Sequence, residues 1–325
     1  MMKTISPLSS FEQLKLLADP RRMEIVRLLM DAPATISQLG RTLGKHPAWV
    51  QHHIKALEAG RLVEIAETRI TDGVTEKYYR AKADGFLIQE MILPQSKKPV
   101  LVFSGSHDLG LERLATRLAR QMTLLSLPVG SLNGLVNLRQ GLCHLSGAHI
   151  LDENGQYNTI TMRHLFPEHS VSLFTLAWRT QGLLFAPGNP KSIRHLFDLE
   201  REDVTFLNRN PGSGTRIWLE QELARIALPP SRIRGFENFV STHSLAALAV
   251  LEGRADVSLG IQAAAHEHGL DFLPLFEERY DLAVSLASQP QLTPLLDDLQ
   301  TSSFRHIIES LSGYNAAHSG EQISF

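Results

Sequence analysis

The feature that most limits what this chain can fold into is a break in pattern at Pro94-Gln95-Ser96-Lys97-Lys98-Pro99. Two prolines and four polar residues in six positions suit neither a helix interior nor a central strand, so the chain divides there. Before the break, apolar residues recur at helical spacing and then take on a strand-like pattern. After it, short apolar runs alternate repeatedly with helical stretches. The 325 residues therefore read as two units, 1–95 and 96–325.

In the first unit, Asp19-Pro20 suits a helix N-cap followed by proline at the first helical position, with Ile25, Val26, Leu28 and Leu29 beyond it. Thr35 and Gln38 have capping-box spacing, and Gly44 ends the helix they open. A third helix starts near His46-Pro47, carries Val50, Ile54 and Leu57 on one face, and stops at Gly60. Leu62–Ile65 and Lys77–Arg80 then read as two strands, with a hairpin turn at Thr71-Asp72-Gly73-Val74. This order is that of a winged helix-turn-helix. The run Ile36–Gly44 followed by Trp49–Val63 resembles the arsenical-repressor-type winged-helix family over roughly residues 10–85. The resemblance implies that the third helix reads the major groove and the hairpin touches phosphates. The residues off its apolar stripe are donors suited to phosphates and base edges: Lys45, His46, Trp49, Gln51, His52, His53 and Lys55. Arg69, Lys77 and Arg80 accompany them on the wing.

Charge is compatible with this reading. The formal net charge is −2, which excludes nucleic-acid binding by bulk charge. It divides into 13 Lys+Arg against 11 Asp+Glu over residues 1–93, and the remainder is acidic. The single cysteine, Cys143, excludes a thiolate zinc cluster and an intrachain disulfide, and among apolar neighbours it reads as an inert core residue. A metal sensor in the first unit is disfavoured, because its histidines lie on the reading helix. Early charges at Glu12, Lys15 and Asp19 argue against a signal peptide, and no run approaches a membrane span. The expectation is a cytoplasmic protein with no membrane partner.

The second unit repeats strand, loop and helix, which implies an α/β fold with mainly parallel strands and a ligand beyond their carboxyl ends. Ser104-Gly105-Ser106-His107-Asp108, Gly130-Ser131-Leu132-Asn133-Gly134 and Asn208–Arg216 all place small hydroxyl or amide residues before a helix. Glycine admits a ligand close to the backbone, and helix N-termini offer N–H donors to an anion. The longer pattern from Gly130-Ser131 to Asp281-Leu282 resembles the periplasmic-binding-protein-like domain related to molybdate-binding proteins. It includes Gly147-Ala148-His149-Ile150-Leu151-Asp152, Arg179-Thr180-Gln181-Gly182, Gly212-Ser213-Gly214-Thr215-Arg216 and Gly253-Arg254-Ala255-Asp256. That resemblance implies a type II, two-lobed domain. Lobe I would hold about 97–185 plus 276–325, and lobe II about 186–275, with a crossing near Pro187-Gly188-Asn189-Pro190.

The expected ligand-binding residues are Ser104, Ser106, Ser131, Asn133, His149, Asp152, Tyr157, Arg209, Ser213, Thr215, Arg216 and Tyr280. The alternative reading of the serines and Thr215 is helix capping, and that of Arg209 and Arg216 is a clamp between the lobes. No nucleophile–base arrangement emerges from the spacing, so no enzyme, catalytic residue, metal site or cofactor is expected. The reading is a one-component, ligand-responsive transcription regulator. It would bind operator DNA as a homodimer and sense a small oxyanion, molybdate or tungstate first. A non-enzymatic cofactor-handling protein of molybdenum metabolism, or a regulator sensing a small organic acid or pterin precursor, stays open.

Overall fold

The computed structural model describes residues 5–8, 10–71, 74–88, 91–152 and 155–325. It separates into two compact units, Met1–Ile92 and Leu93–Phe325.

The first unit contains β1 (Ile5–Pro7), α1 (Phe11–Leu17), α2 (Pro20–Asp31), β2 (Ala34–Thr35), α3 (Ile36–Leu43), α4 (Pro47–Ala59), β3 (Val63–Thr71), β4 (Val74–Ala81) and β5 (Gly85–Leu87). The helix boundaries follow from their caps. Asp19 accepts from Arg21 N at 3.0 Å with Pro20 in the first turn of α2. Thr35 and Gln38 close a capping box on α3, which Gly44 ends at φ 63°. The wing is the antiparallel β3–β4 pair, and β2 adds a third strand beside β4. The turn residues Asp72-Gly73 lie outside the described residues. Ile25, Val50, Ile54, Leu57 and Leu62 form the centre of the core. An unforeseen parallel pairing joins β1 to β5.

The second unit contains β6 (Val100–Gly105), α5 (Leu109–Arg117), β7 (Thr123–Pro128), α6 (Ser131–Arg139), β8 (Leu145–Ala148), α7 (Thr159–Leu165) and β9 (Val171–Phe185). It continues with β10 (Phe206–Arg209), α8 (Gly214–Arg225), β11 (Phe239–Val240), α9 (His243–Leu251), β12 (Val257–Ile261), α10 (Gln262–Glu267) and β13 (Asp271–Ser285). It closes with α11 (Gln289–Leu299), α12 (Ser302–Glu309), β14 (Tyr314–Asn315) and β15 (Gln322–Ile323). The strands run in the order β11-β10-β12-β9-β13-β8-β6-β7, with β14 and β15 also on β9. β6, β7 and β8 pair in parallel, as do β10, β11 and β12. Between the two sets run the long antiparallel strands β9 and β13, so the sheet is mixed instead of mainly parallel.

These two strands relocate the expected crossing. The β13 residues 281–284 pair with β8 on one side and with β9 residues 172–175 on the other. Further along, β9 residues 181–185 pair with β12. The chain therefore passes from lobe I to lobe II near Arg179–Gln181. Pro187-Gly188-Asn189-Pro190 comes after the strand has ended, because its turn chemistry closes an element already inside lobe II. Leu93, the first residue of the second unit, packs on that unit's core around Val102, Leu135 and Met162.

Candidate functional site

The site is assembled where the parallel strand ends of both lobes meet the two long strands. Beyond β6, Ser106-His107-Asp108 leads into α5. Asp108 caps that helix by accepting from Leu111 N at 2.7 Å. Its other oxygen accepts from Arg179 Nη1 at 2.7 Å and from the Tyr314 hydroxyl at 2.6 Å. Arg179 Nε donates to Glu278 Oε1 at 2.6 Å, and the Tyr280 ring lies 4.3 Å from the guanidinium. Burial works against the charge on Arg179, but Glu278 and Asp108 outweigh it and raise its pKa. Burial likewise pushes Glu278 up, yet His149 and Arg179 bring it down to about 2.

His149 completes this arrangement. Its Nδ1 stands 2.6 Å from Glu278 Oε2, and its Nε2 is 2.8 Å from Ser106 Oγ. Burial, opposed by Glu278, holds its pKa below the ordinary histidine range. Serine, histidine and carboxylate thus lie side by side, although Nδ1 is not aligned for a hydrogen bond to Glu278, and the sequence reading did not offer this cluster. Spacing concealed it because the three residues come from three distant segments.

Lobe II contributes a different chemistry. Arg209, at the end of β10, is fully buried. It donates to the carbonyls of Ser241 at 3.0 Å and Val240 at 3.4 Å, and Nη1 lies 2.5 Å from His243 Nδ1. Burial and then Arg209 itself press His243 far below its ordinary range, so it remains neutral. Among the described residues no carboxylate pairs with Arg209. Burial and the charge of Arg179 lower its pKa to about 9. Nη2 of Arg179 and Oε1 of Gln181 also lack hydrogen-bond partners among the described residues.

The lobes are closed on this cluster. Leu132 N donates to Gly212 O at 3.2 Å across the seam. Gly130, at φ 87°, lies so close to lobe II that a Cβ there would stand 2.9 Å from Ser213 N. A Cβ on Gly214 would stand 2.5 Å from His149 Nδ1.

Several expected residues converge. Ser131 Oγ accepts from His149 N at 3.3 Å, and the Tyr280 hydroxyl donates to Ser106 O at 2.5 Å. Thr215 Oγ1 accepts from Gln181 Nε2 at 3.1 Å, and that amide also donates to Glu278. Ser213 lies at the seam and caps α8. Ser104 is buried one step back, accepting from Asn137 at 2.9 Å. Others stand apart. Asn133 is exposed on α6. Asp152 orders its own loop by accepting from Gln156 N at 2.9 Å. Tyr157 donates to Glu277 O at 3.0 Å. Arg216 pairs with Glu220 at 2.8 Å and Glu237 at 3.5 Å and lies over the Phe236 ring, so its charge is already matched. Sequence reasoning missed Asp108, Arg179, Gln181, His243 and Glu278. A signal for three of them existed: Arg179/Gln181 and Glu278/Tyr280 are i, i+2 pairs, each on one face of a strand.

In the first unit, α4 presents Gln51, His52 and Lys55 outward, with Lys45 and His46 exposed at its start. Trp49 is half-buried, 5.9 Å from Lys45 Nζ. His53 is the correction: it is 4% exposed and lies on the core stripe with Val50, Ile54 and Leu57. Position i+3 from Val50 belongs to the buried face, so it cannot meet a base edge. On the wing, Arg69 pairs with Glu67 and Arg80 with Glu64, whereas Lys77 is exposed with no ion-pair partner among the described residues. Lys55 and Lys77 line a groove of about 510 Å³ with Thr35, Ser37 and Gln51. No helix among the described residues is long and apolar enough to cross a membrane.

Residues 112–300 match the PBP superfamily domain, and residues 19–64 match the bacterial regulatory protein, arsR family. The uncharacterized protein YvgK of Bacillus subtilis (strain 168) is 33% identical over 229 residues, covering 70% of this chain and 74% of that protein. An uncharacterized protein in the ferredoxin 2Fe-2S gene 5' region of Clostridium pasteurianum is 26% identical over 111 residues, 33% of this chain and 98% of its own. Among solved structures, a putative phosphate ABC transporter substrate-binding protein with bound phosphate from Clostridium perfringens superposes with a TM-score of 0.50 at 12% identity. The match covers 66% of this chain and 99% of that one, and it shows a shared fold.

Proposed function

The chain belongs to the PBP superfamily and carries an arsR-family helix-turn-helix domain, and on that premise we propose a one-component regulator whose second unit senses a small anion. The coarse assignment is a DNA-binding regulator with a PBP-like ligand-binding domain. The finer reading is that a tetrahedral oxyanion, with molybdate and tungstate as first candidates, is held between the lobes. A homodimer would place two winged helices on a palindromic operator, since paired half-sites multiply a modest single-domain affinity.

One observation carries the anion reading: Arg209 is a completely buried guanidinium whose partners are two carbonyls and a neutral histidine. An uncompensated buried charge is costly, and a bound anion is the simplest compensation. Ser106, Ser131, Ser213 and Thr215 lie around the same seam. The test is binding of the full chain to its own promoter region, measured by fluorescence anisotropy with and without molybdate, tungstate, phosphate or sulfate. The expected result is operator binding whose affinity changes with one or more of these anions, and a loss of that response in Arg209→Gln. An absence of operator binding under every condition overturns the regulator reading. Operator binding that ignores all anions but responds to an uncharged metabolite overturns the anion.

A further inference from the structure

We propose that Ser106, His149 and Glu278 read the proton on the bound anion: the site takes an anion bearing an acid proton directly, and a bare oxyanion only together with one proton from solvent. This rests on the anion reading above and specifies the ligand's protonation state. The argument starts at Glu278, whose carboxylate is held by Arg179 Nε and by Gln181. His149 Nδ1 stands 2.6 Å from Glu278 Oε2 without hydrogen-bond alignment, and at that distance a lone pair on Nδ1 would be repelled by the carboxylate, so the hydrogen is assigned to Nδ1. The neutral ring then has its lone pair on Nε2, 2.8 Å from Ser106 Oγ, and the Ser106 hydroxyl proton fills it. A serine committed in this way offers only lone pairs. It accepts from an anion that carries an O–H, as monohydrogen phosphate does, and has nothing to donate to an anion that carries none.

A fully deprotonated oxyanion reverses the relay. His149 takes a proton on Nε2 and donates it to Ser106 Oγ, and the serine proton turns to the anion. The charges around His149 make the reversal conditional on the ligand. Glu278 on β13 favours a proton on the ring, while Arg179 on β9 and Arg209 on β10 oppose it. Neutral Tyr280 on β13 stands 5.9 Å away, and His243 on α9 is neutral. Asp108, after β6, is already engaged by Arg179 and Tyr314. An arriving negative charge tips this balance toward the imidazolium.

The test is calorimetric titration of the full chain at about pH 8, in two buffers of different ionisation enthalpy, with inorganic phosphate, which keeps one proton, and with molybdate, which keeps none. Molybdate is expected to take up close to one proton and to weaken about tenfold per pH unit over the alkaline range. Phosphate is expected to take up none. Ser106→Ala, a small truncation that leaves the charged network intact, is expected to lower phosphate affinity about tenfold or more. Phosphate binding at about pH 8 with molybdate entering only at lower pH is the same discrimination in its extreme form. Equal proton numbers for both anions, or an unchanged phosphate affinity in Ser106→Ala, overturn the proposal while leaving the anion reading standing. Failure of both anions to bind at every pH removes both readings.

Discussion

At the scale of single residues, the second unit contrasts two buried arginines. Arg179 lies between Asp108 and Glu278 and is matched; Arg209 has neutral partners only. Removing the matched one leaves two buried carboxylates, so Arg179→Met is expected to cost about 3–5 kcal/mol in urea unfolding. Arg209→Met removes an unmatched charge at similar volume, so the ligand-free protein is expected to melt at the same or a higher temperature. Under the anion reading, added anion is expected to raise the melting temperature of the wild type in a thermal-shift assay and not that of the variant. Glu278 sets a pH dependence. Its folded value of about 2 lies below the ordinary 4.5, so it adds stability that is fully present above about pH 4.5 and is lost as pH falls toward 2. The amount is on the order of 3 kcal/mol, and acid titration of the wild type against Glu278→Gln is expected to show a shallower acid limb in the variant. Cys143 shows the bland outcome: it is buried beside Leu135, Leu138 and Met162, and burial pushes its thiol up to about 12.

At the scale of elements, cap chemistry and apolar spacing made the helices of the first unit legible. Asp19-Pro20, Thr35–Gln38 and His46-Pro47 stand at three helix starts. What eluded the reading of α4 was an assumption about residue type, since a histidine was counted as a reader although its position put it on the buried stripe. His52→Ala is therefore expected to weaken operator binding with little change in melting temperature. His53→Ala is expected to lower the melting temperature of the first unit, with any DNA effect following from that loss. In the second unit the loops before helices were legible from their Gly-Ser composition, but the carboxylate and arginine partners were not. They arrive from β9 and β13, strands far away in sequence, and only pairing register brings Glu278 opposite Arg179. α8 supplies a further test. Gly214 has ordinary helical backbone, so alanine there suits the open lobe, yet its Cβ would meet His149 at 2.5 Å when the lobes close. Gly214→Ala is expected to keep folding stability within about 1 kcal/mol while weakening anion binding at least about tenfold.

At the scale of the whole molecule, a ligand-binding unit and a DNA-reading unit in one chain must be coupled reciprocally if the protein is a regulator. Whatever factor the ligand imposes on operator affinity, the operator imposes on ligand affinity. Measuring both is a closed thermodynamic check, and unequal factors would point to a third equilibrium such as dimerisation.

The strands β9 and β13 add something to that picture. They run unbroken through both lobes, and Arg179, Gln181, Glu278 and Tyr280 are carried on them at the crossing. Under the anion reading, the joint between the lobes and the charges of the site are therefore carried on the same stretch of backbone. In a receptor with a remote joint, selectivity and springiness can drift apart under mutation. Here a change that retunes which ligand is held is expected also to retune the motion between the lobes, so variants selected for a new effector are expected to arrive with a new dynamic range as well.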